Sequence, residues 1–136
     1  MIQQHEITFP PFQRGYHLIT GLIEKSLPEL PEKGLLHILV KHTSAGITIN
    51  ENADPTVRSD FENFINKMIP EKDPVYVHTY EGDDDMPAHI KSSVFGAEVT
   101  IPITNHRLNL GTWQGIYFCE FRNSGGSRRA VLTIFS

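Results

Sequence analysis

The sequence has few of the residues and motifs that identify common classes of site. It holds one cysteine, Cys119, so no disulfide can form within the chain and no CxxC pair is available for zinc. It has no P-loop, GxGxxG or HExxH motif, and ATPase, dinucleotide oxidoreductase and zincin activities lose their usual support. No apolar run is long enough to cross a bilayer, and neither a secretory signal nor an Asn-x-Ser/Thr sequon occurs. These absences predict a soluble, cytoplasmic protein without a membrane partner.

Positive charge is also scarce, with 12 Lys and Arg against 16 Asp and Glu and a net charge of -4. Because nucleic-acid binding depends on clustered positive charge, no nucleic-acid partner is predicted. The one basic concentration is Arg122, Arg128 and Arg129 around the sequence NSGGS. These arginines either hold a small phosphate or are solvated charges at a hairpin end.

The length of 136 residues predicts a single domain over residues 1–136. The clearest helix signal has Asp54 as N-cap, Pro55 at the first helical position and an apolar stripe predicted to pack against a sheet. That stripe comprises Val57, Phe61, Phe64, Ile65 and Met68. Shorter helices are predicted after Thr20, as an N-cap, and from Met86-Pro87 to Gly96. The predicted strands outnumber the helices: QQHEITF, GYHLI, GLLHILVKH, VYVHTY, EVTIPI, RLNLG, WQGIYFCEF and RRAVLTIF. An α+β domain with two or three helices on a curved, mostly antiparallel sheet is expected.

Two polar regions follow the third predicted strand. His42 extends the apolar face of GLLHILVKH, and Asn50 and Glu51 stand just before the helix beginning at Asp54. Either these residues contact a ligand, or His42 is a structural strand-end histidine and Glu51 a solvated acid. Thr43 and Ser44 adjoin His42, but neighbouring strand residues point to opposite faces, so neither is favoured as a nucleophile.

The stretch EGDDDMPAHIK concentrates Asp83, Asp84 and Asp85 beside His89, and His78 lies just before it. Imidazole and carboxylate together suit zinc, manganese or iron, whereas aspartates with a diphosphate suit magnesium. The alternative is an acidic helix N-terminus in which Asp85 is the cap. Capping explains one aspartate better than three.

In WQGIYFCEFR, alternation places Glu120 on the same face as Ile116 and Phe118. A buried carboxylate needs a partner, which is predicted to be Arg122, Arg129 or a ligand. A structural ion pair explains Glu120 equally well. Cys119 is interpreted as a small buried hydrophobe rather than a nucleophile.

Four segments together carry a resemblance to a known family: HTSAGITINENADPTVR, EGDDDMPAHIKSS, LGTWQGIYFCEFR and GGSRR. In this order and spacing they resemble the YjbQ family, described as secondary thiamine-phosphate synthases. The resemblance implies an α+β half-barrel, assembly as a homotrimer, and weak coupling of hydroxymethylpyrimidine diphosphate to thiazole phosphate with release of diphosphate. One departure is Asn105-His106 where the family usually has a glycine, and both residues tolerate the positive φ of a turn.

The resemblance also implies a phosphorylated small-molecule substrate and a divalent metal, zinc or magnesium, bound by His42, His78 and His89. Predicted catalytic residues are His89, Asp84, Glu120 and Glu51. Predicted substrate-binding residues stand in the matching segments: Thr43, Ser44, Asn50, Asp83, Asp85, Lys91, Thr112, Gln114, Arg122 and Arg129. Two alternatives stay open, a metal-dependent hydrolase of a small metabolite and a non-catalytic trimeric binding protein.

Overall fold

The computed structural model describes residues 1–136 as eight strands and three helices. The strands are β1 (Ile2–Phe9), β2 (Gly15–Leu18), β3 (Lys33–Val40), β4 (Ala45–Glu51), β5 (Glu98–Thr104), β6 (Arg107–Leu108), β7 (Gln114–Glu120) and β8 (Arg128–Phe135). The helices are α1 (Thr20–Ser26), α2 (Pro55–Met68) and α3 (Asp85–Phe95). No helix of the structure is both long enough and apolar enough to span a membrane.

All strand pairs are antiparallel, and they form a five-stranded sheet ordered β1-β8-β3-β5-β6 and a three-stranded sheet ordered β2-β7-β4. The two sheets curl into a half-barrel around the main core. Leu36, Ile38 and Val40 on β3 face this core, as their alternation predicts. The predicted α+β class with a curved antiparallel sheet is therefore confirmed.

Helix α2 begins as predicted, and two of the five residues of its apolar stripe are exposed. The Asp54 side chain accepts a hydrogen bond from the Thr56 backbone N-H at 2.9 Å, and Pro55 opens the helix. Ile65 is buried, whereas Phe64 and Met68 are 64% and 52% exposed. The prediction that this helix packs against a sheet is confirmed, since the centroid of the Phe61 ring lies 5.5 Å from that of Tyr16 on β2, but the helix presents only part of the stripe to that sheet.

Two local predictions are wrong. Residues 75–80, VYVHTY, form no strand: the segment begins in a turn in which the Tyr76 N-H donates to the Asp73 carbonyl, and no strand pairs with it. Thr20 is the first residue of α1 rather than its N-cap, and its Oγ1 accepts a hydrogen bond from the Ile116 N-H instead. The expected positive φ at Asn105 and His106 is present, at 51° and 64°.

Candidate functional site

His78, Asp85 and His89 converge on one point at the start of α3. Asp85 and His89 lie one helical turn apart and so share a face, and His78 arrives from the segment that precedes the helix. His78 Nε2 lies 2.8 Å and His89 Nε2 3.3 Å from Asp85 Oδ2. One ligand atom from each of the three residues lies within 4.8 Å of the others. This grouping is able to hold a metal ion, with donor atoms that suit zinc.

Arg122 fixes the two aspartates at this site. Its Nη1 donates to Asp85 Oδ1 at 2.7 Å, and its Nε donates to Asp84 Oδ2 at 2.9 Å. Burial alone would raise the pKa of Asp84, but hydrogen bonds from the Asn123 N-H and Arg122 outweigh it and lower the pKa. Asp85 is 1% exposed and the helix cap position belongs to Asp84, so the expectation that Asp85 caps α3 is wrong.

His42 is not part of this cluster. The Arg129 backbone N-H donates to His42 Nε2 at 2.8 Å, which identifies Nε2 as the unprotonated nitrogen. Burial lowers the pKa of His42, and the positive charges of Arg128 and Arg129 lower it further. The structure brings together two of the three predicted metal-binding histidines, His78 and His89, and places His42 beside them in a neighbouring cavity.

Glu120 is fully buried and paired with Arg128, whose Nε and Nη2 donate to its two oxygens at 2.8 and 2.6 Å. Arg128 Nη2 also donates to the Ser44 hydroxyl at 2.9 Å. The sequence suggested Arg122 or Arg129 as the partner and missed Arg128. The signal for Arg128 was the short NSGGS connection, which keeps the first residue of β8 close to the end of β7 although the two strands belong to different sheets.

The other predicted residues near α3 differ in their exposure. Asp83 is exposed, 3.7 Å from Lys72 Nζ. Lys91 is buried, and its Nζ donates to Asn66 Oδ1 at 2.6 Å. Burial, followed by the nearby positive charge of Arg14, lowers the pKa of Lys91 to about 8. Lys91 therefore faces the interior of the protein rather than the cluster.

The predicted residues of the GTWQ segment lie at the opposite end of the three-stranded sheet. Glu51 pairs with Gln114 at one end of the β4-β7 ladder, whereas Ala45 pairs with Glu120 at the other, about 20 Å away. Gln114 Oε1 accepts from the Gly111 N-H, and the Thr112 carbonyl accepts from Asn52. Asn50 and Glu51 accept hydrogen bonds from nearby backbone N-H groups. Within one chain these four predicted residues do not join the cluster of His78, Asp85 and His89.

Two cavities flank the cluster. One, of about 450 Å³, is lined by His42, Thr43, His89 and hydroxyl groups of α3. The other, of about 270 Å³, is lined by Lys72, Tyr76, His78 and Asp83 among others. Each cavity reaches one histidine of the cluster, and the larger one is of a size for small molecules. Lys72, Tyr76 and Ser92 at these surfaces carried no sequence signal, because nothing in the local pattern relates them to the histidines.

Comparisons with known proteins place the chain in a family. The family model described as UPF0047 protein YjbQ-like matches residues 5–136. The chain is 51% identical over 136 residues to the UPF0047 protein YjbQ of Salmonella typhimurium, with 98% of both chains covered. The solved structure of a conserved hypothetical protein from Thermus thermophilus is similar with a TM-score of 0.82 and 31% identity, covering 97% of this chain and 99% of that one. A YbjQ-like protein from Sulfolobus solfataricus has the same fold, with a TM-score of 0.84, 23% identity and coverage of 100% and 98%. The chain therefore belongs to the UPF0047 family of YjbQ-like proteins.

Proposed function

We propose that this protein is a metal-dependent enzyme that acts on a small molecule at the cluster of His78, Asp85 and His89. The position of the His89 ring is the observation that carries the proposal. Its Nδ1 lies 2.9 Å from the Thr43 carbonyl oxygen, which can only accept a hydrogen bond, so Nδ1 bears the proton of the neutral ring. Its Nε2 is then unprotonated and can only accept. It lies 3.3 Å from Asp85 Oδ2, which is also an acceptor. A cation between these two atoms satisfies both.

The donor atoms favour a metal over a second proton on His89. Two imidazole nitrogens and one carboxylate oxygen lie within bridging distance of a common centre, and zinc is bound by such sets at about 2.0–2.2 Å. A ligating histidine normally donates its other N-H to a carbonyl or carboxylate, as His89 does to Thr43. Magnesium prefers oxygen ligands alone, so zinc is the better match of the two predicted ions.

The metal proposal is tested by elemental analysis of protein reconstituted with zinc and then desalted. The wild type should retain stoichiometric zinc, and His89→Ala and Asp85→Asn should lose it because each removes one donor atom. His37→Ala is the matched control, since His37 pairs with Glu98 on an exposed part of the sheet. A wild type that retains no zinc, or a His89→Ala variant that retains it fully, would contradict the proposed centre.

The proposed substrate is a small phosphorylated molecule, and the proposed reaction is the thiamine-phosphate synthesis implied by the family resemblance. A divalent metal at the cluster would supply positive charge to neutralise the departing diphosphate. Lys72, which lines the adjacent cavity, contributes a further positive charge. Asp84 and Arg122 position the carboxylate of Asp85 rather than contacting the substrate directly.

A hydrolase is the second candidate, and the shortage of free positive charge around the cluster favours it. Lys72 is the one Lys or Arg among the residues that line the two cavities. Arg122 and Arg128 are already bonded to carboxylates. A less highly charged metabolite than a diphosphate would fit these cavities, with water as the attacking molecule.

One assay separates the two reactions. Zinc-loaded or magnesium-supplemented protein is given both thiamine precursors, and thiamine phosphate and diphosphate are measured together. A synthase produces both in equal amounts. A hydrolase that accepts these precursors releases diphosphate or phosphate without thiamine phosphate, and one restricted to less charged metabolites releases none of these products. His89→Ala should abolish either activity, and His37→Ala should not. Metal-loaded protein that forms no thiamine phosphate would contradict the synthase proposal.

The proposed assembly is the homotrimer implied by the same resemblance. Large apolar side chains that are exposed in the single chain support association between copies. Val77 and Tyr80, on either side of His78, are 96% and 98% exposed, and Trp113 is 65% exposed.

A further inference from the structure

The carboxylate of Asp85 is divided between two kinds of partner. Its Oδ1 accepts a hydrogen bond from Arg122 Nη1 at 2.7 Å, while its Oδ2 faces His78 and His89 at 2.8 and 3.3 Å. The residue is 1% exposed, so water does not compete for either oxygen. One carboxylate oxygen is therefore directed at the two histidines and the other is held away from them.

The guanidinium that holds Oδ1 is itself fixed on every side. Besides Asp85, it donates through Nε to Asp84 Oδ2 at 2.9 Å and through Nη2 to the Glu81 carbonyl at 3.1 Å. Each of its three nitrogens thus has an acceptor. A planar group bound at three points cannot swing aside without losing several charge-assisted hydrogen bonds.

The backbone that carries Arg122 is anchored by a buried ion pair. The Arg122 N-H donates to Glu120 Oε2 at 3.2 Å, and the Arg128 guanidinium donates a hydrogen bond to each oxygen of Glu120. The next residue, Asn123, donates its N-H to Asp84 Oδ2 at 2.9 Å. Glu120, which the sequence suggested as a catalytic residue, here acts as a positioning residue for Arg122.

We infer that Arg122 determines the metal specificity of this site by restricting Asp85 to a single donor oxygen. The inference depends on the proposed metal centre. With Oδ1 occupied, the protein offers three donor atoms, His78 Nε2, His89 Nε2 and Asp85 Oδ2. Three such donors leave room for one further ligand in the four-coordinate geometry of zinc, and they disfavour ions such as manganese or magnesium that require six ligands, mostly oxygen.

The test compares metal binding by Arg122→Gln and Arg122→Lys with that of the wild type. Both variants weaken the hold on Asp85 Oδ1, Gln by removing the charge and Lys by replacing the planar guanidinium, which binds Asp84 and Asp85 through two separate nitrogens, with a single ammonium on a flexible chain. Dissociation constants for Zn²⁺ and Mn²⁺ are measured by calorimetry. Visible absorption of bound Co²⁺ reports geometry, because four-coordinate Co²⁺ absorbs much more strongly than six-coordinate Co²⁺.

The wild type should give the intense Co²⁺ spectrum and a strong preference for zinc. In both variants the Co²⁺ absorption should weaken, and the preference for Zn²⁺ over Mn²⁺ should fall by about tenfold or more. Arg107→Gln, at an exposed arginine of β6, is the control and should match the wild type.

Two other outcomes are distinguishable. Wild-type protein that binds no metal overturns the proposed centre and this inference with it. Metal binding by the wild type, with each Arg122 variant that folds retaining the same Co²⁺ spectrum and zinc preference, overturns the inference alone. Circular dichroism of the metal-free variants shows whether they are folded, and the Lys variant provides the result if the Gln variant is not.

Discussion

Lys91 is a buried ammonium whose one hydrogen-bond acceptor is the neutral Asn66 amide. Its pKa is about 8 in the folded protein against 10.5 ordinarily, so between these values the unfolded chain holds a proton that the folded chain has released. The contribution of Lys91 to stability should therefore rise with pH across this window, by up to about 3 kcal/mol, against the opposite contributions of Tyr16 and Cys119, whose pKa values are raised by burial. Denaturant unfolding of the wild type and Lys91→Met at pH 8 and 10.5 measures the effect.

The Lys91→Met variant should lose this rise relative to the wild type, whereas Lys67→Met, at an exposed lysine of α2, should keep it. If the free energy of unfolding depends on pH equally in the wild type and Lys91→Met, Lys91 does not have a lowered pKa in the folded protein.

Gly125 is the residue whose replacement most directly tests the buried pair of Glu120 and Arg128. A Cβ at this position would lie 2.2 Å from Glu120 Oε1, and that oxygen cannot withdraw because Arg128 Nε binds it. Gly125→Ala should lower the free energy of unfolding by roughly 2 kcal/mol or more. Gly21→Ala is the control, since nothing lies within 4 Å of its Cβ. If Gly125→Ala and Gly21→Ala have the same free energy of unfolding in urea, the ion pair of Glu120 and Arg128 can shift to accept the added methyl group at little cost.

The kinds of side chain at the candidate site could be predicted from the sequence. Which of those side chains lie together in the folded chain could be predicted less well. Mixed imidazole and carboxylate groups around the aspartate run predicted His78 and His89, and both converge on Asp85. His42 lies apart from this cluster, because its position just after the end of β3 brings its ring to the Arg129 backbone. Pairing of this kind depends on the distance between β3, β8 and α3, which no local pattern encodes.

At the scale of single elements, the start of α2 gives a direct test. The Asp54 side chain accepts from both the N-H and the hydroxyl of Thr56, and these hydrogen bonds lower the pKa of Asp54. Asp54→Ala should lower the melting temperature by a few degrees at neutral pH, because the first turn loses its cap. Ser59→Ala, at an exposed position of the same helix, should change stability little. The comparison is made by thermal unfolding, and equal melting temperatures would contradict the capping role.

Elements with both a periodic pattern and end signals were predictable, and elements that depend on a neighbour were not. Helix α2 has Asp54, Pro55 and helical spacing, and its start was predicted to the residue. The segment 75–80 has the β-branched and aromatic composition of a strand, yet no strand of the same chain lies beside it. Composition favours an extended backbone, but a strand also requires a hydrogen-bonding partner.

At the scale of the whole molecule, the α+β half-barrel followed from the order of strands and helices and from the family resemblance together. The assembly of copies depends instead on exposed surface. Phe64 and Met68 lie one helical turn apart on α2, and both are largely exposed although the sequence pattern marks them as core residues. A core-like stripe on an outer helix face is expected where another copy covers it.

Phe64→Glu tests whether this face of α2 lies between copies in the proposed homotrimer. A carboxylate buried at an apolar interface would be strongly unfavourable, so the variant should dissociate while keeping the fold of the chain. Light scattering after size exclusion should give three times the 15.4 kDa chain mass for the wild type and a lower mass for Phe64→Glu. Ser59→Glu adds the same charge at an exposed, polar position of α2 and should remain trimeric. A monomeric wild type would contradict the proposed trimer itself. A trimeric Phe64→Glu variant would show that the copies contact each other through another surface, because a glutamate that faces solvent has little effect on assembly.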